Sequence, residues 1–255
     1  MSENLLLKAR FSLDENLYAC FPMKIGRKRF ERIKNKSELM KKQYDYILFD
    51  LDGTLIDSKP GIVECIRYAL DKEGVPYTSD VLDKMIGPPF RVSMHDFLGQ
   101  DEKSIEKLIA LYRGEYEKYG WKHCRVFDGV RDMLAKLQSA GKRLAVATSK
   151  PIKFTDMIVK GFDIEKYFDV VGGASSDASK EAKCDVINDV LERLGVTDKS
   201  KVLMVGDRMY DIDGAHVSGI DVCAVLYGYG SQSEFEEHGA EYIVDLPCDV
   251  CNLVL

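Results

Sequence analysis

From residue 44 onward, short apolar runs alternate with stretches of helical period, and each run stops at a polar or glycine-containing turn. Residues 44–49 (YDYILF), 143–147 (RLAVA), 169–171, 201–205 (KVLMV), 221–225 and 242–244 have the length and branched or aromatic character of strands. Between them lie helical patterns, among them 128–140 with Asp128 as the expected cap, 181–194 and 209–218. Strands separated by helices require right-handed crossovers, which build a mainly parallel sheet covered on both faces. The predicted fold is therefore α/β, with a doubly wound sheet.

One block breaks the rhythm. Residues 59–120 carry no strand signal and read as helices at about 59–73, 79–86, 90–98 and 102–119, parted by Gly74, Pro76, the Gly87-Pro88-Pro89 run and Gly99. This predicts an all-helical cap subdomain over 58–125, inserted into a core made of 44–57 and 126–255, with 1–43 as a separate extension.

Charge divides along the same line. Residues 1–43 carry a net charge of +6, and the rest of this 255-residue chain carries −12, against −6 overall. An acidic core disfavours nucleic acid as its partner. The basic arm is expected to make at most weak contacts with anions, and Met40, just before the first strand, and Met23 are candidates for an alternative start. No apolar run nears the ~20 residues of a membrane span. Leu5–Leu7 are followed at once by Lys8 and Arg10, which leaves no apolar centre for a secretory signal. Seven cysteines, an odd number in a chain this long, point to thiols in a reducing cytoplasm. Cys248 and Cys251 are expected to be ordinary thiols, because one such pair supplies half a zinc site and no strand-to-helix step supports a redox motif.

In an open parallel sheet, ligands bind at the carboxyl ends of the strands. The residues just past each strand are therefore informative: Asp50-Leu51-Asp52-Gly53-Thr54, then Thr148-Ser149-Lys150, then Gly206-Asp207-Arg208-Met209-Tyr210-Asp211. Asp50, Asp52, Asp207 and Asp211 would repel one another without compensation. A hard divalent cation resolves the conflict, and Mg2+ suits few protein ligands plus a substrate phosphate. Lys183 opens the helix before KVLMV and would complete the balance. Such a set fits phosphoryl transfer. Asp50 is the candidate nucleophile, Asp52 the acid and base, and Thr148 and Lys183 hold the phosphoryl oxygens. Gly53, Thr54 and Ser149 beside them, and Arg91 with its bidentate fork, are the expected substrate contacts.

These motifs, in this order, resemble the haloacid dehalogenase (HAD) superfamily, over about four-fifths of the chain. The resemblance implies a Rossmann-like core, a type-1 helical cap, Asp50 as nucleophile and Asp52 as acid/base. It also implies Mg2+ on Asp50, the Asp52 carbonyl and Asp207, with Asp211 mostly through water. Lys183 is preferred to Lys180 as the third motif. An acid at position 52 disfavours dehalogenation, which has no leaving oxygen to protonate. The stretches IGPPF, ATSKP, GDRMYDIDGA and YGYGS look like the phosphoglycolate phosphatase-like branch. The expected activity is hydrolysis of a small phosphorylated metabolite such as phosphoglycolate. Alternatives are a 5'-nucleotidase, a sugar phosphomutase, a phosphotyrosine phosphatase and a phosphate- or metal-sensing protein without turnover.

Overall fold

The computed structural model describes residues 42–86, 90–175 and 182–255; the basic arm, the Gly87–Pro89 run and Lys180 lie outside them. β1 (Tyr46–Phe49) is the sheet's hub, pairing in parallel with β4 (Arg143–Pro151) on one side and β6 (Val202–Gly206) on the other. β5 (Val170–Ala174) extends the sheet beyond β4, and β7 (Asp221–Val225) and β8 (Tyr242–Val244) extend it beyond β6. The order β5-β4-β1-β6-β7-β8 reverses direction around β1, which makes the sheet doubly wound and opens a crevice at the strand ends there.

Alternation along the strands feeds two cores. Ile47, Phe49, Leu144, Val146, Leu203 and Val205 face α5 (Val130–Ser139), α6 (Ile152–Gly161) and α10 (Pro247–Val254). Leu48, Ala145, Ala147, Val202 and Met204 face α7 (Lys183–Leu194) and α8 (Met209–Ser218). Both faces are covered, as the near-continuous apolar runs require.

The helical block leaves and re-enters the sheet domain through two short strands. β2 (Ile56–Asp57) and β3 (Arg125–Val126) pair antiparallel, with Asp57 opposite Arg125 and an ion pair between them at 3.0 Å. Between them lie α1 (Lys59–Glu73), α2 (Ser79–Lys84), α3 (Phe90–Leu98) and α4 (Glu102–Lys118). They share their own core of Ile66, Ala69, Leu70, Leu82, Met85, Met94, Ile105 and Leu108.

Three local expectations change. Gly129, at φ +84°, takes the N-cap of α5 in place of Asp128, a backbone position that glycine adopts without steric cost. β4 runs four residues past Ala147, with a register shift between Thr148 and Pro151. Cys248 and Cys251 do follow a strand-to-helix step, because α10 begins just after β8; Cys251 is buried. Between β7 and β8 lies a further short helix, α9 (Gln232–Glu237), that apolar patterning does not reveal.

Candidate active site

Asp50 follows β1, Asp207 follows β6 and Asp211 sits in the first turn of α8. Each carboxylate can present an oxygen within 4.8 Å of the others', and all three are buried. The ammonium of Lys183, at the head of α7, lies between two of them: 2.6 Å from Asp50 Oδ1 and 2.8 Å from Asp211 Oδ1. It also donates to the carbonyl of Ala147 at 3.0 Å. Gly214 of α8 makes room for this side chain, since a Cβ there would stand 2.6 Å from Lys183 Cγ.

The remaining contacts orient Asp207 and Asp211. Thr54 Oγ1 donates to Asp207 Oδ1 at 3.0 Å, and the Tyr229 backbone N–H donates to Oδ2 at 2.9 Å. Gly53 has φ +82°, and a Cβ there would come 2.1 Å from Asp207 Oδ2, so only glycine lets the turn lie against that carboxylate. Asp211 Oδ2 accepts the backbone N–H groups of Asp207 and Arg208 at 3.1 and 3.0 Å, closing the turn into α8.

The electrostatics are unbalanced. Three buried carboxylates share one lysine, which leaves a formal charge of −2 when all are ionised. Burial pushes the Asp50 carboxyl up to about 6, with Lys183 pulling it down and Asp211 pushing it up. Burial likewise holds Asp207 well above the usual carboxylate range, reinforced by Asp211 and Asp50. Burial alone would lower Lys183, but Asp211 and Asp50 hold it above its ordinary value. An all-oxygen set with this surplus fits a hard divalent cation such as Mg2+. Bound on Asp50, Asp207 and Asp211, such an ion would neutralise the surplus and draw phosphate oxygens to this spot.

Asp52 stands apart from the cluster. Its carboxylate receives Lys150 Nζ at 2.9 and 3.1 Å, and Lys150 lies under the ring of Tyr116 from α4, 4.5 Å from the centroid. Thr148 is buried in β4, just before the register shift, and its hydroxyl accepts the Lys150 N–H, while Ser149 is exposed. Two expected substrate contacts have other partners here. The Thr54 hydroxyl serves Asp207. Arg91, at the exposed start of α3, forks onto Glu102 and Glu106 of α4.

Lys150, Arg208 and Tyr229 were not among the expected site residues. Arg208 reaches from the Asp207 turn to the Ile86 carbonyl of the helical block at 2.9 Å and pairs with Glu234 of α9 at 2.9 Å. The Tyr229 hydroxyl accepts the Ser58 and Lys59 N–H groups at 2.8 and 2.9 Å and donates to Asp57 at 3.2 Å. Beside these residues opens a cleft of about 570 Å3, lined by Lys59, Lys84, Ile86, Phe97, Arg208 and Tyr229. A lysine directly after a strand-end Thr-Ser was the one signal for Lys150 in the sequence.

The chain belongs to the haloacid dehalogenase-like hydrolase family, whose profile matches residues 47–225. Phosphatases are among its relatives and structural neighbours. It is 42% identical over 185 residues to the tyrosine-protein kinase PtkA of Mycobacterium tuberculosis, covering 72% of this chain and 62% of that one. The chain thus spans less than two thirds of that relative's length. It is 35% identical over 206 residues to a 5'-nucleotidase of Pseudomonas aeruginosa (80% and 93% covered). A phosphoglycolate phosphatase of Escherichia coli O157:H7 matches at 30% over 212 residues (72% and 81%). A crystal structure described as a predicted phosphatase from Clostridium acetobutylicum superimposes with a TM-score of 0.78 at 36% identity, covering 82% of this chain and 97% of that one. Among the described residues, no helix is long and apolar enough to cross a membrane.

Proposed function

We propose that the chain hydrolyses a small phosphomonoester in two steps, with Mg2+ held by Asp50, Asp207, Asp211 and the Asp52 carbonyl. An Asp50 oxygen attacks phosphorus, the bond from phosphorus to the ester oxygen breaks, and the Asp52 carboxyl gives its proton to the departing alkoxide. Water then attacks the aspartyl phosphate and passes a proton to the Asp52 carboxylate. Phosphate leaves and the Asp50 carboxylate returns. Lys183 and Thr148 line the place where phosphoryl charge grows. The helical block between β2 and β3 serves as a cap, joined to the core through Arg208 and Tyr229, and excludes bulk water during transfer.

The observation that carries this reading is the Asp50–Lys183–Asp211–Asp207 cluster at the switch of the sheet. For the substrate, the 5'-nucleotidase and phosphoglycolate phosphatase relatives support nucleoside monophosphates and phosphoglycolate as the first candidates. One observation favours a second reading. The PtkA relative is named a tyrosine-protein kinase, which makes a tyrosyl oxygen the alternative phosphoryl partner.

The test is phosphate release from nucleoside monophosphates, phosphoglycolate, sugar phosphates and a phosphotyrosine peptide, with and without Mg2+, for the parent and Asp50→Asn. An ATP-plus-tyrosyl-peptide arm is scored for phosphopeptide. Metal-dependent release that falls by about 10⁴-fold or more in Asp50→Asn is expected. A folded parent that releases no phosphate from any ester would overturn the hydrolase reading, and phosphopeptide formation would establish the second.

A further inference from the structure

The clearest arrangement that the phosphoryl-transfer cluster does not absorb is the Lys150–Asp52 pair. The register shift between Thr148 and Pro151 lifts Lys150 out of the β4 ladder, and its N–H is taken by Thr148 Oγ1 at 3.2 Å. That turn aims the side chain across to the β1 loop. There the ammonium meets both oxygens of Asp52, at 2.9 and 3.1 Å, which fixes the plane of the carboxyl as well as its place. Only 7% of the Lys150 side chain is exposed, because the fully buried Tyr116 of α4 lies over the ammonium with its ring centroid at 4.5 Å. One lysine thus ties together the strand end that carries Thr148, the candidate acid/base and the helical block.

We propose that Lys150 is a positioning residue for leaving-group protonation: its bidentate contact aims the Asp52 carboxyl at the departing oxygen. This rests on the reading of Asp52 as general acid. The physical basis is orientation. Two contacts from a side chain held under the Tyr116 ring fix where the carboxyl points, and an acid out of line with the leaving oxygen loses the proton-transfer step. The alternative role for a buried lysine here is to bind substrate. The two roles differ in which esters they affect, because a leaving group that departs without a proton has no need of Asp52 or of the residue that aims it.

The test compares kcat/KM for two esters in the parent, Lys150→Met, Lys150→Arg and Asp52→Asn. One is the best alkyl ester from the panel, whose alkoxide must be protonated. The other is 2,4-dinitrophenyl phosphate, whose phenolate leaves unprotonated. kcat/KM reports the path up to leaving-group departure and is blind to later hydrolysis of the aspartyl phosphate. General acid catalysis contributes about 10²–10⁴-fold. Loss of its aim should therefore lower kcat/KM roughly 30- to 100-fold on the alkyl ester and less than about threefold on the dinitrophenyl ester. On the latter, kcat and KM should fall together as slow hydrolysis lets the phosphoenzyme accumulate. Lys150→Arg, which keeps the charge, should recover most of the alkyl-ester rate.

Equal losses on both esters, or a rise in KM alone on both, would overturn the proposal and make Lys150 a substrate-binding cation. If Asp52→Asn itself treats the two esters alike, the general-acid reading fails. If Asp52→Asn discriminates and Lys150→Met does not, only the role of Lys150 fails. Near-UV circular dichroism confirms the fold of each variant. Should Lys150→Met not fold, Lys150→Gln, which can donate to Asp52 without charge, carries the same comparison.

Discussion

Replacing Lys183 with methionine nearly preserves the length of the side chain and removes its charge. In the parent, the ammonium contacts Asp50 at 2.6 Å, Asp211 at 2.8 Å and the Ala147 carbonyl at 3.0 Å, with 6% of the side chain exposed. The variant leaves three buried carboxylates facing one another. Breaking a buried ion pair from one side costs about 3–5 kcal/mol. With a urea m-value of roughly 2–3 kcal/mol/M for a domain of this size, the midpoint should fall by roughly 1–2.5 M in EDTA at pH 8. The pH dependence has a definite sign. Asp50 is held at about 6 in the folded parent, above an unfolded value of about 3.9. The native state therefore binds more protons than the unfolded chain between about pH 4 and 6, and stability falls as pH rises through that window. Without Lys183, which draws the Asp50 value down, the window extends to higher pH, so the deficit should be larger at pH 8 than at pH 5. Mg2+ should narrow it by supplying the missing charge. Urea unfolding at both pH values, in EDTA and in Mg2+, measures all three effects. A deficit below about 1 kcal/mol at pH 8 in EDTA, or one that grows on acidification, would refute this account of the cluster.

Two further substitutions probe its supports. Gly53→Ala places a methyl group against Asp207 and forces a left-handed backbone on alanine, a strain of about 1–2 kcal/mol. The Mg2+ concentration for half-maximal activity should rise about 10- to 100-fold, and an unchanged requirement would show that Asp207 is not a ligand. Tyr229→Phe removes the acceptor for two N–H groups at the head of α1. It should cost about 1–2 kcal/mol, a fall of roughly 2–8 °C in Tm; an unshifted melt would mean that water replaces the hydroxyl at no cost.

The cluster was legible because each of its residues sits where a strand ends or a helix begins. Strand ends follow from apolar runs: residues 46–49 and 202–206 end one residue before Asp50 and Asp207. Lys183 could be placed because it heads a helix of clear period. The partners of Asp52 could not be read this way. They need the irregular end of β4, and apolar patterning does not distinguish a strand that stops at Ala147 from one that continues to Pro151 through a register shift. They also need Tyr116 from a helix whose packing partner the pattern leaves open. The partners of Arg91 were hidden for a related reason: Glu102 and Glu106 lie on another helix, and only the crossing of α3 on α4 brings them to the guanidinium. Gly129 replaced Asp128 as a cap because cap preference is a side-chain rule, and the chain entered this helix through a left-handed backbone position instead.

The paired strands β2 and β3 also bear on how the chain reaches its native state. β1 and β4 must find each other across about 100 residues, since Tyr46 pairs with Arg143. Once Asp57 lies against Arg125, the path between those partners shortens to roughly 30 residues, and the entropy of closing the sheet's central pair drops accordingly. The four helices between them share a core of their own, so they can form and bring the ribbon together before the parallel sheet is assembled. On that route the inserted helices act as an early clamp for the strands on either side, and a substitution that loosens their core should slow folding of the whole chain more than it weakens the finished sheet.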